Sequence, residues 1–203
     1  MKKKNLPILM FDLGNILFEL DGVEAFWPDE SNQPALCQMR WNSSQIAYDL
    51  ETGKIETFAD FYRDISDELG IRLEPAEFEK AFLGIIGDPF VGTEEMLEEL
   101  ASSYRLMILS NTNEPHWQYC LSRLPLEKYI ERSFLSHELG AMKPDDMIYE
   151  QVIRELQVDP ENIYYFDDKE ENVIAASEHG MKAYKSWGGE VLRHLLRDLG
   201  FLR

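Results

Sequence analysis

Leu6-Pro7-Ile8-Leu9-Met10-Phe11 is a short, bounded apolar run, and it ends in Asp12-Leu13-Gly14-Asn15. A buried strand looks like this when its carboxyl end opens into a polar loop. The form recurs twice. Arg105-Leu106-Met107-Ile108-Leu109-Ser110 runs into Asn111-Thr112-Asn113-Glu114, and Asn162-Ile163-Tyr164-Tyr165-Phe166-Asp167 runs into Asp168. Residues 132–136 and 181–185 are shorter strand candidates. Helical spacing fills residues 93–102, 145–156 and 170–179, with turn signals at Pro160 and Gly180. Strands alternating with helices of this length predict a parallel sheet covered on both faces.

Residues 17–89 break the alternation. No buried-strand run appears there, while helical periods recur over 33–41, 44–50, 57–69 and 75–86. Thr57 precedes an apolar-periodic run, and Pro75 suits a first helical turn. The pattern predicts an α/β core of residues 1–17 and 90–203, built on a five-stranded parallel sheet. A four-helix cap of residues 18–89 is inserted after the first strand. Hinges are expected near residues 18–22 and 89–92, where Gly and Pro cluster.

The 203 residues are 44% hydrophobic and 29% charged, enough apolar mass to offset the entropy of ordering the chain. Subtracting 38 acidic from 20 basic residues gives a net charge of -18. Such a surface repels phosphate backbones and anionic lipid, so neither nucleic acid nor membrane is an expected partner. A phosphorylated substrate then needs a local cationic feature. Cys37 and Cys120 cannot form a disulfide framework and read as small buried hydrophobes in a reducing compartment. Met1-Lys2-Lys3-Lys4 and the apolar run after it are too short for a signal peptide and lack a small-residue cleavage site. No stretch approaches the ~20 apolar residues that span a bilayer. A cytoplasmic protein is expected, and the oligomeric state is left open.

Three strand ends deliver polar clusters: Asp12, Ser110-Asn111 and Asp167-Asp168. In an open parallel sheet, ligands bind beyond the carboxyl ends of the strands, where the strand order reverses. Gly140-Ala141-Met142-Lys143-Pro144 adds a lysine just before a proline-started helix. Side-by-side carboxylates repel unless a cation or a helix N-terminus stabilises them. The order of these motifs, continuing to Asn172, resembles the haloacid dehalogenase-like hydrolase superfamily, in the subclass whose helical cap lies between the first and second motifs. Within it, Phe11 to Asn15, Glu51-Thr52-Gly53-Lys54-Ile55 and Ser110 to Asn113 look like the bacterial α-D-glucose-1-phosphate phosphatases. The phosphatase domain of soluble epoxide hydrolases is a more distant relative.

The resemblance implies a three-layer, Rossmann-like α/β core with an inserted α-helical cap. It also implies a Mg²⁺-dependent phosphatase acting on a small phosphorylated metabolite, with glucose 1-phosphate as one such sugar phosphate. Asp12 would be the nucleophile that forms an aspartyl-phosphate. Mg²⁺ would be held by Asp12, the Gly14 backbone carbonyl and Asp168. Ser110 and the Asn111 backbone amide would hold phosphoryl oxygens, and Lys143 would stabilise the transferring group and orient Asp12. Asp167 and Asn172 would support the metal site.

One position departs from that pattern. The usual phosphatase has a second aspartate two residues after the nucleophile, acting as general acid and base; here it is Gly14. A general acid is typically worth ~10²–10⁴-fold. Three readings follow: a leaving group that needs less help, such as an anomeric oxygen; a proton from the cap or the substrate itself; or a phosphate-binding or regulatory module with weak or lost turnover. Intact Asp12 and Lys143 favour an enzyme. Dehalogenase chemistry would leave Asp167-Asp168 without a cation, and phosphonate hydrolysis would need Lys54 or Lys80 as a Schiff base. Phe18, Glu19, Asp21, Trp27, Arg40, Trp41, Tyr48 and Glu51 are candidates for choosing the substrate. The plainer alternatives are cap-core packing for the aromatics, an ion pair for Arg40, and ordinary structural roles for His116 and His137. The Trp187-Gly188-Gly189 turn is a candidate border of the active-site mouth.

Overall fold

The computed structural model describes residues 6–203. The basic start at Lys2, Lys3 and Lys4 and the first five residues of the expected core lie outside the described residues. The chain opens with β1 (Ile8–Phe11) and β2 (Phe18–Leu20). Four helices follow: α1 (Pro34–Asn42), α2 (Gln45–Glu51), α3 (Phe58–Leu69) and α4 (Pro75–Leu83). After β3 (Ile86–Pro89) come α5 (Thr93–Ala101), β4 (Arg105–Ser110), α6 (Glu114–Arg123), β5 (Arg132–Leu135), the short α7 (Ser136–Leu139) and α8 (Asp146–Leu156). The chain ends with β6 (Ile163–Asp167), α9 (Glu170–Glu178), β7 (Lys182–Lys185) and α10 (Glu190–Asp198).

Five strands form one parallel sheet in the order β5-β4-β1-β6-β7. β1 and β4 are buried at every residue, because helices cover both sides of the sheet. Their side chains alternate with period two. Leu9, Phe11, Leu106 and Ile108 pack with Met96, Leu97 and Leu100 of α5 and Leu192 and Leu196 of α10. Ile8, Met10, Met107 and Leu109 pack on the other face with Ile148, Tyr149 and Val152 of α8 and Ala175 and Ala176 of α9. The result is the expected three-layer α/β core.

The helices α1 to α4 enclose a separate apolar cluster that includes Phe26, Phe61, Phe78 and Phe82. Rings pack at 5.0 Å for Phe26–Phe78 and 5.2 Å for Phe61–Phe82. α3 starts where Thr57 Oγ1 accepts from the Asp60 amide at 3.1 Å, which satisfies one of the unpaired first-turn donors. Trp27 and Trp41 join this cluster, and Arg40 pairs with Glu30 at 3.0 Å, so these three candidates follow their plainer alternatives. Cys37 and Cys120 are buried and free.

The crossings between core and cap differ from the sequence expectation of a wholly helical insertion. β2 and β3 pair antiparallel as a two-stranded ribbon, with Phe18 opposite Pro89 and Leu20 opposite Ile86. β3 reads as a turn because Gly87, Asp88 and Pro89 fill three of its four positions, and only Ile86 is buried. α6 and α10 add two helices to those expected from spacing, α10 with Leu192 and Leu196 one helical turn apart. Among the described residues, no helix is long and apolar enough to cross a membrane.

Candidate active site

The topology brings the strand-end residues together. Asp12 follows β1, its amide bonded to the Phe166 carbonyl of β6 at 3.0 Å, while Ser110 ends β4 on the other side of β1. The chain goes outward through β4 and β5 and then returns to β6, so the strand order reverses beside β1. That is where a crevice opens at the carboxyl ends.

Lys143 is buried at the centre. Its Nζ lies 3.0 Å from Asp12 Oδ1 and 2.7 Å from Asp167 Oδ2. It donates to Asp167, to the Leu109 carbonyl at 3.1 Å and to the Tyr165 hydroxyl at 2.9 Å. An ammonium has three protons, and these acceptors use all three. Asp12 Oδ1 is thus a fourth acceptor at 3.0 Å, held by Lys143 chiefly through charge. The lysine backbone is fixed as well. Asn111 Nδ2 donates to the Lys143 carbonyl at 2.8 Å, and the Lys143 amide donates to Asn111 Oδ1 at 2.8 Å. The side chain of Asn111 thus serves the loop and leaves its backbone amide as the group suggested for phosphate.

The two adjacent aspartates are held differently. Asp167 accepts from the Lys169 amide at 2.8 Å, from Asn172 Nδ2 at 3.0 and 3.1 Å, from Lys143 and from the Tyr165 hydroxyl. Asp168 accepts from Asn15 Nδ2 at 2.9 Å. Asn15 adopts φ 56°, a left-handed conformation that Asn tolerates better than most residues. Carboxylate oxygens of Asp12, Asp167 and Asp168 lie within 4.8 Å of one another. The all-carboxylate donor set, with Asp168 bonded by side chain only to Asn15, suits a hard divalent cation, which prefers oxygen donors. Asp167, saturated by donors, suits a supporting role.

Burial and neighbouring charge set the titration of the cluster. Burial and the Asp167 charge push Asp12 above the ordinary carboxylate range against the pull of Lys143. For Asp167, burial pushes up, but Lys143 and the donated hydrogen bonds outweigh it and the pKa is lowered. Burial would lower Lys143, yet Asp12 and Asp167 hold it above the usual lysine value. Burial raises Asp168, opposed by the Asn15 bond.

The cap and its supports close the other side. Glu51 ends α2, and burial pushes its carboxyl up to about 7 against the attraction of Lys169. His116, Tyr165, Asn15 and Ser136 are the residues that sequence reading did not assign to the site or its frame. Tyr165 had a readable signal, since it stands two residues before Asp167 and so shares its strand face. Ser136 Oγ accepts from the Thr112 amide and donates to the Thr112 carbonyl, both at 2.9 Å, pinning the loop after β4. The Trp187-Gly188-Gly189 turn does meet the nucleophile loop, with the Gly188 amide bonded to the Asn15 carbonyl at 2.7 Å.

Comparison with known proteins adds a second line. A family model described as "Hydrolase: haloacid dehalogenase-like hydrolase" matches residues 7–180. A D-ribitol-5-phosphate phosphatase of Bacteroides thetaiotaomicron is 25% identical over 190 residues, covering 89% of this chain and 92% of that protein. A flavin mononucleotide hydrolase of Arabidopsis thaliana is 29% identical over 207 residues, covering 98% of this chain and 80% of that protein. A solved structure of a HAD family enzyme from Bacteroides thetaiotaomicron, in complex with magnesium and inorganic phosphate, superposes with a TM-score of 0.80 at 28% identity. It spans 94% of this chain and 99% of its own.

Proposed function

Because this chain belongs to the haloacid dehalogenase-like hydrolases, we propose that it hydrolyses small phosphomonoesters of sugars or polyols in a Mg²⁺-dependent reaction. The observation that carries the reading is the buried Lys143 ammonium set between Asp12 and Asp167, with Asp168 completing a carboxylate cluster. Phosphatase activity is supported by the names of the two relatives, and Mg²⁺ by the magnesium complex of the solved one.

Asp12 is the nucleophile in this reading, attacking phosphorus as the ester oxygen leaves and being released from the aspartyl-phosphate by water. Asp12, the Gly14 carbonyl and Asp168 would hold Mg²⁺, which when bound neutralises phosphate charge so that an anionic carboxylate can approach. Ser110 and the Asn111 amide bind phosphoryl oxygens, and Lys143 balances the charge of the transferring group. Asp167 and Asn172 keep Lys143 and the loop before α9 in register. The residues assigned from the motifs thus keep their roles as parts of one proposal.

The substrate is a small phosphorylated metabolite. The resemblance to glucose-1-phosphate phosphatases favours an anomeric ester. The compounds in the two relatives' names, ribitol 5-phosphate and flavin mononucleotide, both carry phosphate on the primary hydroxyl of a ribityl chain. A second reading, a phosphate-binding module with lost turnover, is favoured by one observation: Leu20 fills the space beside Gly14 where a side chain would stand. The test is phosphate release with and without Mg²⁺ from p-nitrophenyl phosphate, glucose 1-phosphate, glucose 6-phosphate and ribitol 5-phosphate. Metal-dependent release that Asp12→Asn abolishes is the expected result. Folded protein that releases phosphate from none of them would overturn the enzyme reading in favour of the binding module.

A further inference from the structure

Gly14 leaves the nucleophile loop without a proton donor, and a Cβ there would lie 2.6 Å from Leu20 Cδ1. An alkyl phosphate nevertheless expels a poor leaving group, and positioned proton transfer to it is worth ~10²–10⁴-fold. The cap brings the Glu51 carboxyl within reach of the charges of Asp12, Lys143 and Lys169. Glu51 ends α2, and the turn after it is pressed onto the core. A Cβ on Gly53 would lie 2.1 Å from the His137 carbonyl oxygen of α7, and Thr52 is buried between them in sequence.

The charges that act on the Glu51 carboxyl all belong to the core: Lys169, Asp12 and Lys143. The other charged groups nearby are already occupied. Asp49 and Lys54 pair with each other at 3.0 Å. His137 meets the Thr112 carbonyl at 3.0 Å and Glu114 at 3.3 Å. Among the described residues, no hydrogen bond or ion pair engages the Glu51 carboxyl. A partly buried acid with no structural partner, docked across the cleft from the nucleophile, is placed for chemistry.

We propose that Glu51 is the general acid and base of the reaction, reaching the leaving oxygen from the cap in place of the side chain that Gly14 lacks. The inference rests on the phosphatase reading above. As Asp12 bonds to phosphorus and the ester P–O bond breaks, the leaving oxygen takes the proton of the Glu51 carboxylic acid and departs as an alcohol. The Glu51 carboxylate then takes a proton from water as the water oxygen bonds to phosphorus. The bond between Asp12 and phosphorus breaks, inorganic phosphate leaves, and both carboxyl groups return to their starting states.

The experiment compares wild type, Glu51→Gln and Glu51→Ala in rapid-mixing assays with Mg²⁺. The substrates are p-nitrophenyl phosphate and whichever of ribitol 5-phosphate and glucose 6-phosphate the wild type hydrolyses faster. Nitrophenolate leaves without protonation, so its first turnover should change by less than about threefold in Glu51→Gln, while alcohol release from the alkyl ester should fall at least ~10²-fold. The wild-type alkyl-ester rate should decline as pH rises through about 7, where Glu51 loses its proton, and that limb should vanish in the variant. Formate should partly restore alkyl-ester turnover to Glu51→Ala. Equal losses on both esters, no loss on the alkyl ester, or a raised KM with unchanged kcat would overturn the assignment. So would a wild type that hydrolyses only the aryl ester. Metal-dependent activity lost in Asp12→Asn keeps the phosphatase reading standing in each of those cases, and its absence brings down both.

Discussion

Lowering the pH from 7 to 5 should destabilise the wild-type chain by about 2 kcal/mol more than a His116→Gln variant. His116 lies on α6, only 7% exposed, with its ring stacked on Phe82 of the cap at 4.1 Å. Asn113 Oδ1 accepts from the His116 amide at 3.1 Å, which fixes the amide so that Nδ2 donates to the ring Nδ1 at 3.1 Å. The other ring nitrogen, Nε2, sits 2.7 Å from the Phe82 carbonyl and must be the protonated one. Both nitrogens of a neutral ring are satisfied, and a second proton would face the Asn113 amide protons. Burial lowers the imidazole from 6.5 to about 4, against the pull of the Phe82 carbonyl.

The unfolded chain takes up the proton near pH 6.5 and the folded one only near pH 4, so this contribution is complete above 6.5 and is lost as pH falls towards 4. At ~1.4 kcal/mol per pKa unit the whole contribution is about 3 kcal/mol. About 2 kcal/mol of it falls between pH 7 and pH 5, or roughly 4–8 °C in Tm for a chain of this size. Asp12 and Glu51 titrate in the same window with the opposite sign. They do so in both proteins, and the difference between wild type and variant removes them. Urea unfolding at the two pH values, extrapolated linearly to water, measures that difference. Parallel losses in the two proteins would refute the claim that contacts with Phe82 and Asn113 keep the ring neutral.

Three further outcomes follow from the same geometry. Lys143→Met removes the charge between Asp12 and Asp167, so phosphate release should vanish and stability at pH 8 should fall by about 3–5 kcal/mol. That loss should shrink in thermal melts at pH 5, as Asp12 takes up a proton. Gly53 and Gly70 both have positive φ, 70° and 67°, but only Gly53 has backbone in the way of a Cβ. Gly70→Ala should cost about 1–2 kcal/mol and Gly53→Ala about 2–5 kcal/mol in urea titrations, with a selective loss of alkyl-ester turnover in the latter. Phe78, fully buried against Phe26 at 5.0 Å, should cost about 3–5 kcal/mol when cut to Ala, read from the same denaturation curves.

What could be read in the chain, and what could not, follows from where each signal resides. β1, β4 and β6 declare themselves because helices cover both faces of the sheet and nearly every residue is apolar. Asp12, Ser110 and Asp167 become legible with them, since each marks the point where such a run turns polar. β2 and β3 escape because Leu20 and Gly87 bury little and the two segments pair with each other outside the main sheet. Tyr165 shares the strand face of Asp167, which it bonds, whereas Asn15 stands inside its motif with no signal of its bond to Asp168. Glu51 is a cap candidate in the sequence, but its place beside the core charges, like that of His116 against Phe82, depends on contacts between cap and core more than 30 residues apart. No local pattern records which helix end will meet which loop.

The way Lys143 is held bears on why Asp12 can act at all. A carboxylate that accepts a hydrogen bond from an ammonium is stabilised in its ground state and loses basicity, which weakens it as a nucleophile. Here the three ammonium protons go to the Leu109 carbonyl, the Tyr165 hydroxyl and Asp167. Asp12 Oδ1 stands 3.0 Å from the same ammonium as a fourth acceptor, and the lysine acts on it chiefly through charge. In the proposed reaction the same charge serves a transferring phosphoryl group, whose negative oxygens have to approach Asp12. Asp167 is what makes this division possible. By holding the lysine with Tyr165 and the Leu109 carbonyl, it turns a flexible cation into a fixed point of charge, and it carries the opposing charge that lets an ammonium remain buried. Replacing Asp167 with Asn would remove the negative charge that raises Asp12 and leave the ammonium paired with Asp12 alone, so the nucleophile would lose basicity through a residue that never touches the substrate.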